Sequence, residues 1–507
     1  MSLFLGSIIR ESARIGSTVE KNLQVPRLQQ QAVLRRLLRV ARQTAFGRYY
    51  GFGDLLWAEE LGDAFQRRVP AHDYNALYKQ WWGKAHQEDR PDVCWPGLTP
   101  YFALSSGTSE AATKYIPLTE DMLRMMKRGS RRMFYNLRQF EVPAATYAKQ
   151  MLLVGSCTQP KREGRHLTGD LSGLLGMNRP LWMERAYRPG KHITDLPDWN
   201  ERIEYIAREA PQWDIGFSVS NPMWLQIILE RILETHGLQH IHEIWPHFSV
   251  LVHGGVFFEP YRPGLEQMFG RPVQFIDSYM ASEGLFAWQT RQESHTSRAT
   301  RGMRLVTDGG IYYEFVPFNS DNFNENGDLV GQYPQALGLS EVKEGVNYAL
   351  LLSTCAGAWR YLLGDTIQFT DLERCEIRLT GRTKQYLSAC GEHLSIDNLN
   401  AAVQAVQAQC GANIGEFCVG AVQEGTRWAH QWLICCDHPD VSAQQLARAL
   451  DAELCRLNDD YAVERQHALT EVRVKLVPPA FFMDWLAQRG KLNGQAKIPR
   501  VVRSFEF

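Results

Sequence analysis

Between residues 151 and 284, short apolar runs alternate with longer stretches of helical periodicity, and this alternation narrows the available folds more than any other feature. MLLVGSC (151–157) is a continuous apolar run of strand length. NPMWLQIILERILETHG (221–237) carries its apolar residues at helical spacing and stops at Gly237. FSVLVHGG (248–255) is a strand ending in two glycines, residues 260–269 suit a helix, and VQFIDSYMASEG (273–284) is a strand running into a small-residue turn. Strands alternating with helices predict an α/β fold with largely parallel sheets. In such sheets ligands gather beyond the carboxyl ends of the strands. His253, Gly254 and Gly255 fall at one such end, and Tyr279, Ser282 and Glu283 at another.

The flanking regions read differently. Residues 1–60 are helical in pattern: LQQQAVLRRLLRVARQTAFG spaces its apolar residues for a helix that is expected to end at Gly47 as C-cap. TEDMLRMMKRGSRRMFYNLRQ (119–139) predicts a helix with Thr119 as N-cap. From 301 to 380 the segments GGIYYEFVPF, NYALLLST, TIQFTDL and CEIRLTG are separated by turn residues, which predicts an antiparallel, β-barrel-like region. Beyond about 386 a strand pair (GEFCVGAVQ, WAHQWLICCD) precedes a long helix, SAQQLARALDAELCRLNDD, and then VRVKLVPP and KIPRVVR. A boundary inside RTKQYLSACGEH divides a large N-terminal domain (1–385), with mixed and parallel sheets flanked by helices, from a small α+β C-terminal domain (386–507).

Three short stretches carry residues suited to nucleotide chemistry. In SSGTSEAATKYIP (105–117), glycine lets backbone approach a phosphate, hydroxyls add donors and Lys114 adds charge. GxxxxGK[ST] is absent, and the same residues also suit a solvated turn before the helix at Thr119. In SYMASEG (278–284), an acid after a small-residue turn at a strand end can hold Mg²⁺ or simply cap a helix. In WRYLLGDTIQF (359–369), Asp365 can accept from ribose hydroxyls or close an ordinary Gly-Asp turn. Arg382 follows in LTGRTKQ, just before the domain boundary.

Composition removes several classes. With 44% hydrophobic and 22% charged residues the chain is an ordinary globular protein. Lys and Arg number 55 against 56 acids, so nothing favours nucleic acid or an anionic membrane as partner. Ten dispersed cysteines without CxxC, no apolar run long enough to span a bilayer, and a start (MSLFLGSIIRESARIGS) that lacks a signal-peptide core predict a reduced, cytoplasmic protein, taken as a monomer. The histidines of HGLQHIHEIWPH (His236, His240, His242, His247) lack HExxH and read as surface or core residues. GFSVS (216–220) lacks the second glycine of a nucleophile elbow.

Taken together, SSGTS…K, ASEG, RYLLGD and GR at a boundary, in that order, resemble the GH3 family of acyl-acid amido synthetases, bacterial-type, within the adenylate-forming, firefly-luciferase-like superfamily. IWPHFSVLVHGGVFFEPY (244–261) and the C-terminal KIPR add to the resemblance. It implies activation of a carboxylic acid by ATP and Mg²⁺, then transfer of the acyl group to an amine, usually of an amino acid. By motif match, Ser105, Ser106, Gly107, Thr108, Ser109 and Lys114 are similar to the phosphate loop. Tyr279, Ser282 and Glu283 match the adenine and magnesium segment, Asp365 the ribose ligand, Arg382 a ribose or phosphate contact, and Lys497 a C-terminal catalytic lysine on a mobile small domain. Trp224, His253, Gly254 and Gly255 are candidates for the acyl pocket. The pattern departs from the family at Ala111, Trp359, Lys384 and Gln385. A thiol acceptor, coenzyme A or a carrier protein, is the chemical alternative, and a nucleotide-binding protein without turnover the non-enzymatic one.

Overall fold

The computed structural model describes residues 26–105, 114–154, 160–178, 181–196, 199–254, 258, 261–292, 302–319, 321–324, 327–383, 386–387, 389–390, 392, 394–410, 414–425, 427–436, 441–478, 481–482, 484–485 and 500–502. The start, MSLFLGSIIRESARIGS, and most of the SSGTS loop lie outside them. The chain forms two compact units. One comprises Met1–Ser105, Lys114–Phe258 and Leu265–Thr383, and the other Ser106–Thr113, Glu259–Gly264 and Lys384–Phe507.

The strands of the first unit are, in chain order, β1 (Tyr101–Ser105), β2 (Lys114–Leu118), β3 (Gln150–Val154), β4 (Lys161–Glu163), β5 (His166–Asp170), β6 (Tyr187–Arg188), β7 (Ile215–Ser220) and β8 (Val250–His253). They continue as β9 (Gln274–Ala281), β10 (Gly284–Trp288), β11 (Met303–Leu305), β12 (Ile311–Pro317), β13 (Tyr348–Thr354), β14 (Tyr361–Asp371) and β15 (Glu376–Arg382). Eleven of them make one sheet, ordered β12-β13-β14-β15-β11-β10-β9-β8-β7-β3-β6. β3, β6, β7, β8 and β9 pair in parallel, as their buried apolar runs require, and β9 to β15 pair antiparallel. The antiparallel region read from residues 301–380 therefore continues the parallel sheet. The two halves meet at the β9–β10 turn, which holds Ser282 and Glu283. A second sheet, β2-β1-β5-β4, pairs β1 antiparallel with β2 and parallel with β5.

Helix Pro26–Ala41 buries Leu34, Leu37, Leu38 and Ala41, the stripe that its periodicity predicts. Its buried Gln30 side chain donates to the Thr307 and Ile311 carbonyls and accepts from the Tyr313 amide. The helix does not run on to Gly47. It ends at Ala41, and Thr44 opens a new short helix by accepting from the Gly47 amide at 3.0 Å. Gly47 is a close-approach position and not a C-cap: a Cβ there would lie 2.1 Å from the Ala41 carbonyl oxygen. Thr119 does cap helix Glu120–Asn136, accepting from Met122 and donating to the Cys355 carbonyl. Trp82, Trp245 and Trp359 are fully buried.

In the second unit, β16 (Tyr386–Leu387) pairs with β17 (Leu394–Ser395). β18 (Ile414–Glu424), β19 (Arg427–Cys436), β20 (Leu469–Leu476) and β21 (Val501–Val502) form a sheet ordered β20-β19-β18-β21. Helix Ala443–Leu457 presents Leu446, Leu450 and Leu454 to the core and starts on a Ser442–Gln445 capping box. The long helix expected there stops at Leu457, because Asn458 turns out of helical geometry and caps the next helix, Asp459–His467. Glu392 and His430 pair at 2.9 Å with neither side chain exposed. Burial pushes Glu392 up, yet His430 and the Ala389 and Cys390 amides outweigh it and hold the carboxyl at about 2. Arg500 of the KIPR stretch is bonded to Glu416 and the Phe417 carbonyl, and the Val419 amide donates to its own carbonyl. No helix among the described residues is long and apolar enough to cross a membrane.

Candidate active site

Four acids and bases from separate elements of the first unit converge. Asp365 lies on β14, directly opposite Arg382 on β15 in the strand register, and Arg382 Nε stands 2.7 Å from Asp365 Oδ1. The Tyr279 hydroxyl, from β9, donates to Asp365 Oδ2 at 2.6 Å. Both carboxylate oxygens are thus held, although Arg382 keeps about a quarter of its side chain exposed. Gly364, at φ +92°, lets the strand turn beside Asp365, and its carbonyl accepts from the Thr383 amide.

Glu283 sits in the β9–β10 turn and is 8% exposed. Burial raises its pKa above the usual carboxylate range, and the Lys114 ammonium works against that rise. The Tyr361 hydroxyl, from the start of β14, donates to Glu283, and burial together with that carboxylate pushes the phenol far above its ordinary pKa. Lys114 opens β2, opposite Ser105 at the end of β1. Its ammonium lies 5.4 Å from the centre of the Tyr74 ring, and the Tyr74 hydroxyl accepts from the Tyr115 amide at 2.9 Å. A backbone bridge from His72 to Tyr361 ties this segment to the edge of β14.

The expected residues fall into three groups. Ser105, Lys114, Tyr279, Ser282, Glu283, Asp365 and Arg382 are contributed by β1, β2, β9, the β9–β10 turn, β14 and β15. Ser106, Gly107, Thr108, Ser109, Gly255 and Lys497 lie outside the described residues, as do Ala111, Lys384 and Gln385. Trp224, His253 and Gly254 follow the carboxyl ends of parallel strands β7 and β8. Trp224 is half-buried in the first turn of helix Pro222–His236. His253 is no open pocket wall: it is 1% exposed, stacks on Phe258 at 3.9 Å and places Nδ1 3.1 Å from Asp277. Gly254 must be glycine, since a Cβ would meet the Ser278 carbonyl oxygen at 2.3 Å. The Tyr279 ring, in the segment matched to adenine and magnesium, packs against Phe286, and its hydroxyl serves Asp365.

Sequence reasoning passed over Tyr74 and Tyr361. Arg360 of WRYLLGD is a fold residue: fully buried, it grips Glu314 at 3.0 Å and the Gln66 and Val69 carbonyls. Tyr361 beside it was the residue of interest, and four places before Asp365 was its signal. The histidines of HGLQHIHEIWPH are structural as expected. His242 accepts from the Gly270 amide and bonds the Phe248 carbonyl, His240 caps a short turn, and His247 meets Asp214.

Comparison with known proteins adds a family. The profile of the GH3 family N-terminal domain matches residues 17–168 and 158–274, that of the central domain 304–382, and that of the C-terminal domain 397–506. The chain is 26% identical over 280 residues to "Indole-3-acetic acid-amido synthetase GH3.8" of Oryza sativa subsp. indica, covering 52% of this chain and 45% of that protein. It thus spans about half the length of the curated relatives it matches. Among solved structures, "AtGH3.15 acyl acid amido synthetase in complex with 2,4-DB" superposes with a TM-score of 0.60 at 16% identity, over 98% of this chain and 95% of that one. "2-Hydroxyisobutyryl-CoA Ligase (HCL) in complex with 2-HIB-AMP and CoA" gives 0.56 at 15%, over 94% and 89%.

Proposed function

The chain belongs to the GH3 family, and from that premise we propose that it is an ATP-dependent acyl-acid amido synthetase. It would join a carboxylic acid to AMP with release of pyrophosphate, then transfer the acyl group to an amine, an amino acid in our reading. The observation that carries this is the clamp on Asp365: a carboxylate fixed by Tyr279 and Arg382 at 2.6 and 2.7 Å, beside the Glu283–Lys114 charges.

Chemistry explains the division of labour. A carboxylate is a poor electrophile, and a mixed anhydride with AMP supplies a good leaving group. The acid's oxygen attacks the α-phosphorus, and negative charge grows on phosphate oxygens. Preorganised donors and cations at that charge lower the barrier. Lys114 is the fixed cation, with Ser105, Ser106, Gly107, Thr108 and Ser109 as the phosphate-binding loop. Asp365 accepts from ribose hydroxyls, Arg382 holds it and reaches ribose or phosphate, and Tyr279 positions it. Ser282 stands in the same turn as Glu283. Lys497 is the second cation proposed for the adenylation step. Trp224, His253, Gly254 and Gly255 are proposed to border the acyl site, His253 by supporting its wall. No side chain needs to act as a nucleophile.

Magnesium fits this donor set. Mg²⁺ takes hard oxygen ligands, one or two carboxylates with substrate phosphates. Glu283 offers a buried carboxylate at a strand end and is the residue that would hold it. When bound, the ion neutralises charge on the phosphates.

The test is pyrophosphate release with ATP, Mg²⁺ and a carboxylic-acid library, with and without mixed amino acids. Acid-dependent release accelerated by amino acids, with an N-acyl amino acid by mass spectrometry, is the expected result. Acceleration by coenzyme A alone would replace the amine with a thiol. ATP binding without release would leave a nucleotide-binding protein. Lys497→Ala should depress adenylation more than ATP binding, and an unchanged rate would remove that residue from the site.

A further inference from the structure

The nucleotide-type site leaves unused a cluster at the other end of the four-stranded sheet. His86, Glu163 and His166 bring one ligand atom each to within 4.8 Å of one another. His86 lies on helix Gly83–Gln87, Glu163 ends β4 and His166 begins β5. His86 Nε2 and Glu163 Oε2 are 3.5 Å apart. Two ligands on a tetrahedral zinc, at about 2.0–2.2 Å each, stand roughly 3.4 Å from one another.

Each ligand is oriented by a further group. The Tyr78 hydroxyl bonds His86 Nδ1 at 2.7 Å. Asp89 Oδ1 is 3.0 Å from His166 Nδ1. Thr168 Oγ1 donates to Glu163 Oε1 at 3.0 Å. The second atom of each of the three is therefore engaged, His86 Nε2 pairs with Glu163 Oε2, and His166 Nε2 is left over. His166 is 3% exposed and its Nε2 has no hydrogen-bond partner. A buried imidazole nitrogen without a partner is costly unless something coordinates it. A carboxylate behind a histidine, as Asp89 stands behind His166, is the usual outer sphere of a metal ligand.

We propose that His86, Glu163 and His166 bind one Zn²⁺ ion, with the fourth position left to water. Two imidazoles and one carboxylate make a zinc donor set and select against Mg²⁺, which prefers oxygen. The ion would fasten helix Gly83–Gln87 to the β4–β5 hairpin. β5 pairs with β1, whose last residue, Ser105, leads into the SSGTS loop, so the role is structural support next to the candidate site.

The test uses the full chain without an affinity tag, stripped with chelator and titrated with Zn²⁺ by calorimetry and metal analysis. Expected are one Zn²⁺ per chain after dialysis, a raised thermal midpoint, and no displacement by Mg²⁺. Glu163 is 44% exposed, so Glu163→Gln should fold normally by circular dichroism and bind Zn²⁺ at least about tenfold more weakly. Asp89→Asn should weaken it roughly 10- to 100-fold. Failure of the wild type to retain zinc, or equal binding by wild type and Glu163→Gln, would overturn the site; equal loss by both would do so too.

Discussion

Two arginine–carboxylate pairs belong to one sheet and share only their chemistry: Arg360, just before β14, with Glu314 on β12, and Arg382 on β15 with Asp365 on β14. Arg360 and Glu314 are both 0% exposed, and the arginine also grips two backbone carbonyls. Arg382 and Asp365 are 26% and 9% exposed, and Asp365 takes its second bond from a tyrosine. The first pair joins the helical layer to the sheet, and no ligand can reach it. In the second a buried carboxylate is held by an arginine that stays partly open to solvent. A charge pair therefore says little until its burial and remaining partners are known.

The contrast can be broken most forcefully at the buried pair. Arg360→Met strands the Glu314 carboxylate, so a loss of about 3–5 kcal/mol in unfolding free energy is expected by denaturant titration. Arg360→Met with Glu314→Leu should recover most of it. If the double variant were as unstable as the single one, the pair's role in the fold would have been misjudged. Asp365→Ala should do the opposite: raise the KM for ATP roughly 10- to 100-fold, on the scale of a hydrogen bond to a charged group, with little change in thermal midpoint. Lys114→Ala should act on the rate of pyrophosphate release, again without unfolding the chain. Near-normal adenylation in both would remove these residues from the site.

Smaller effects sharpen the same comparison. Tyr279→Phe deletes one bond to Asp365 and should raise the KM for ATP about three- to tenfold. Glu283 has a raised pKa, so its ionised form, the one that holds a cation, is lost on acidification at a higher pH than for an ordinary glutamate. The acid limb of kcat/KM should shift upward accordingly, and Glu283→Gln should lose that limb along with most activity. In the second unit the sign reverses. Glu392 is held at about 2 against an ordinary 4.5, so the stability it contributes is present above pH 4.5 and lost as pH falls towards 2. Acid unfolding followed by tryptophan fluorescence of that unit should weaken in that window, and Glu392→Gln should flatten it.

Much of the fold was legible because its signals are local. The buried runs at 151–154 and 250–253 are strands that need no partner to be recognised, and the Thr119 cap and the Leu446-Leu450-Leu454 stripe follow from spacing. Gly47 misled because a glycine at a close approach looks like a glycine at a helix end. Site legibility followed the same rule. Glu283 stands in a small-residue turn and Asp365 follows a glycine early in β14, so both were visible. The pairing of Asp365 with Arg382 is set by strand register, and the neighbourhood of Lys114, Tyr74 and Tyr361 by contacts across hundreds of residues. The His86–Glu163–His166 cluster is the extreme case, since the spacing of its members follows no motif.

The central claim is that the clamped Asp365 serves acyl-adenylate formation. Single-turnover conversion of labelled ATP, with an acid that supports pyrophosphate release, measures this directly in wild type and Asp365→Asn at matched folded fractions. An acyl-adenylate that builds up in the wild type and forms at least about tenfold more slowly in the variant at limiting ATP is the predicted result. Equal rates in the two proteins, or release of pyrophosphate without any acyl-adenylate, would contradict it.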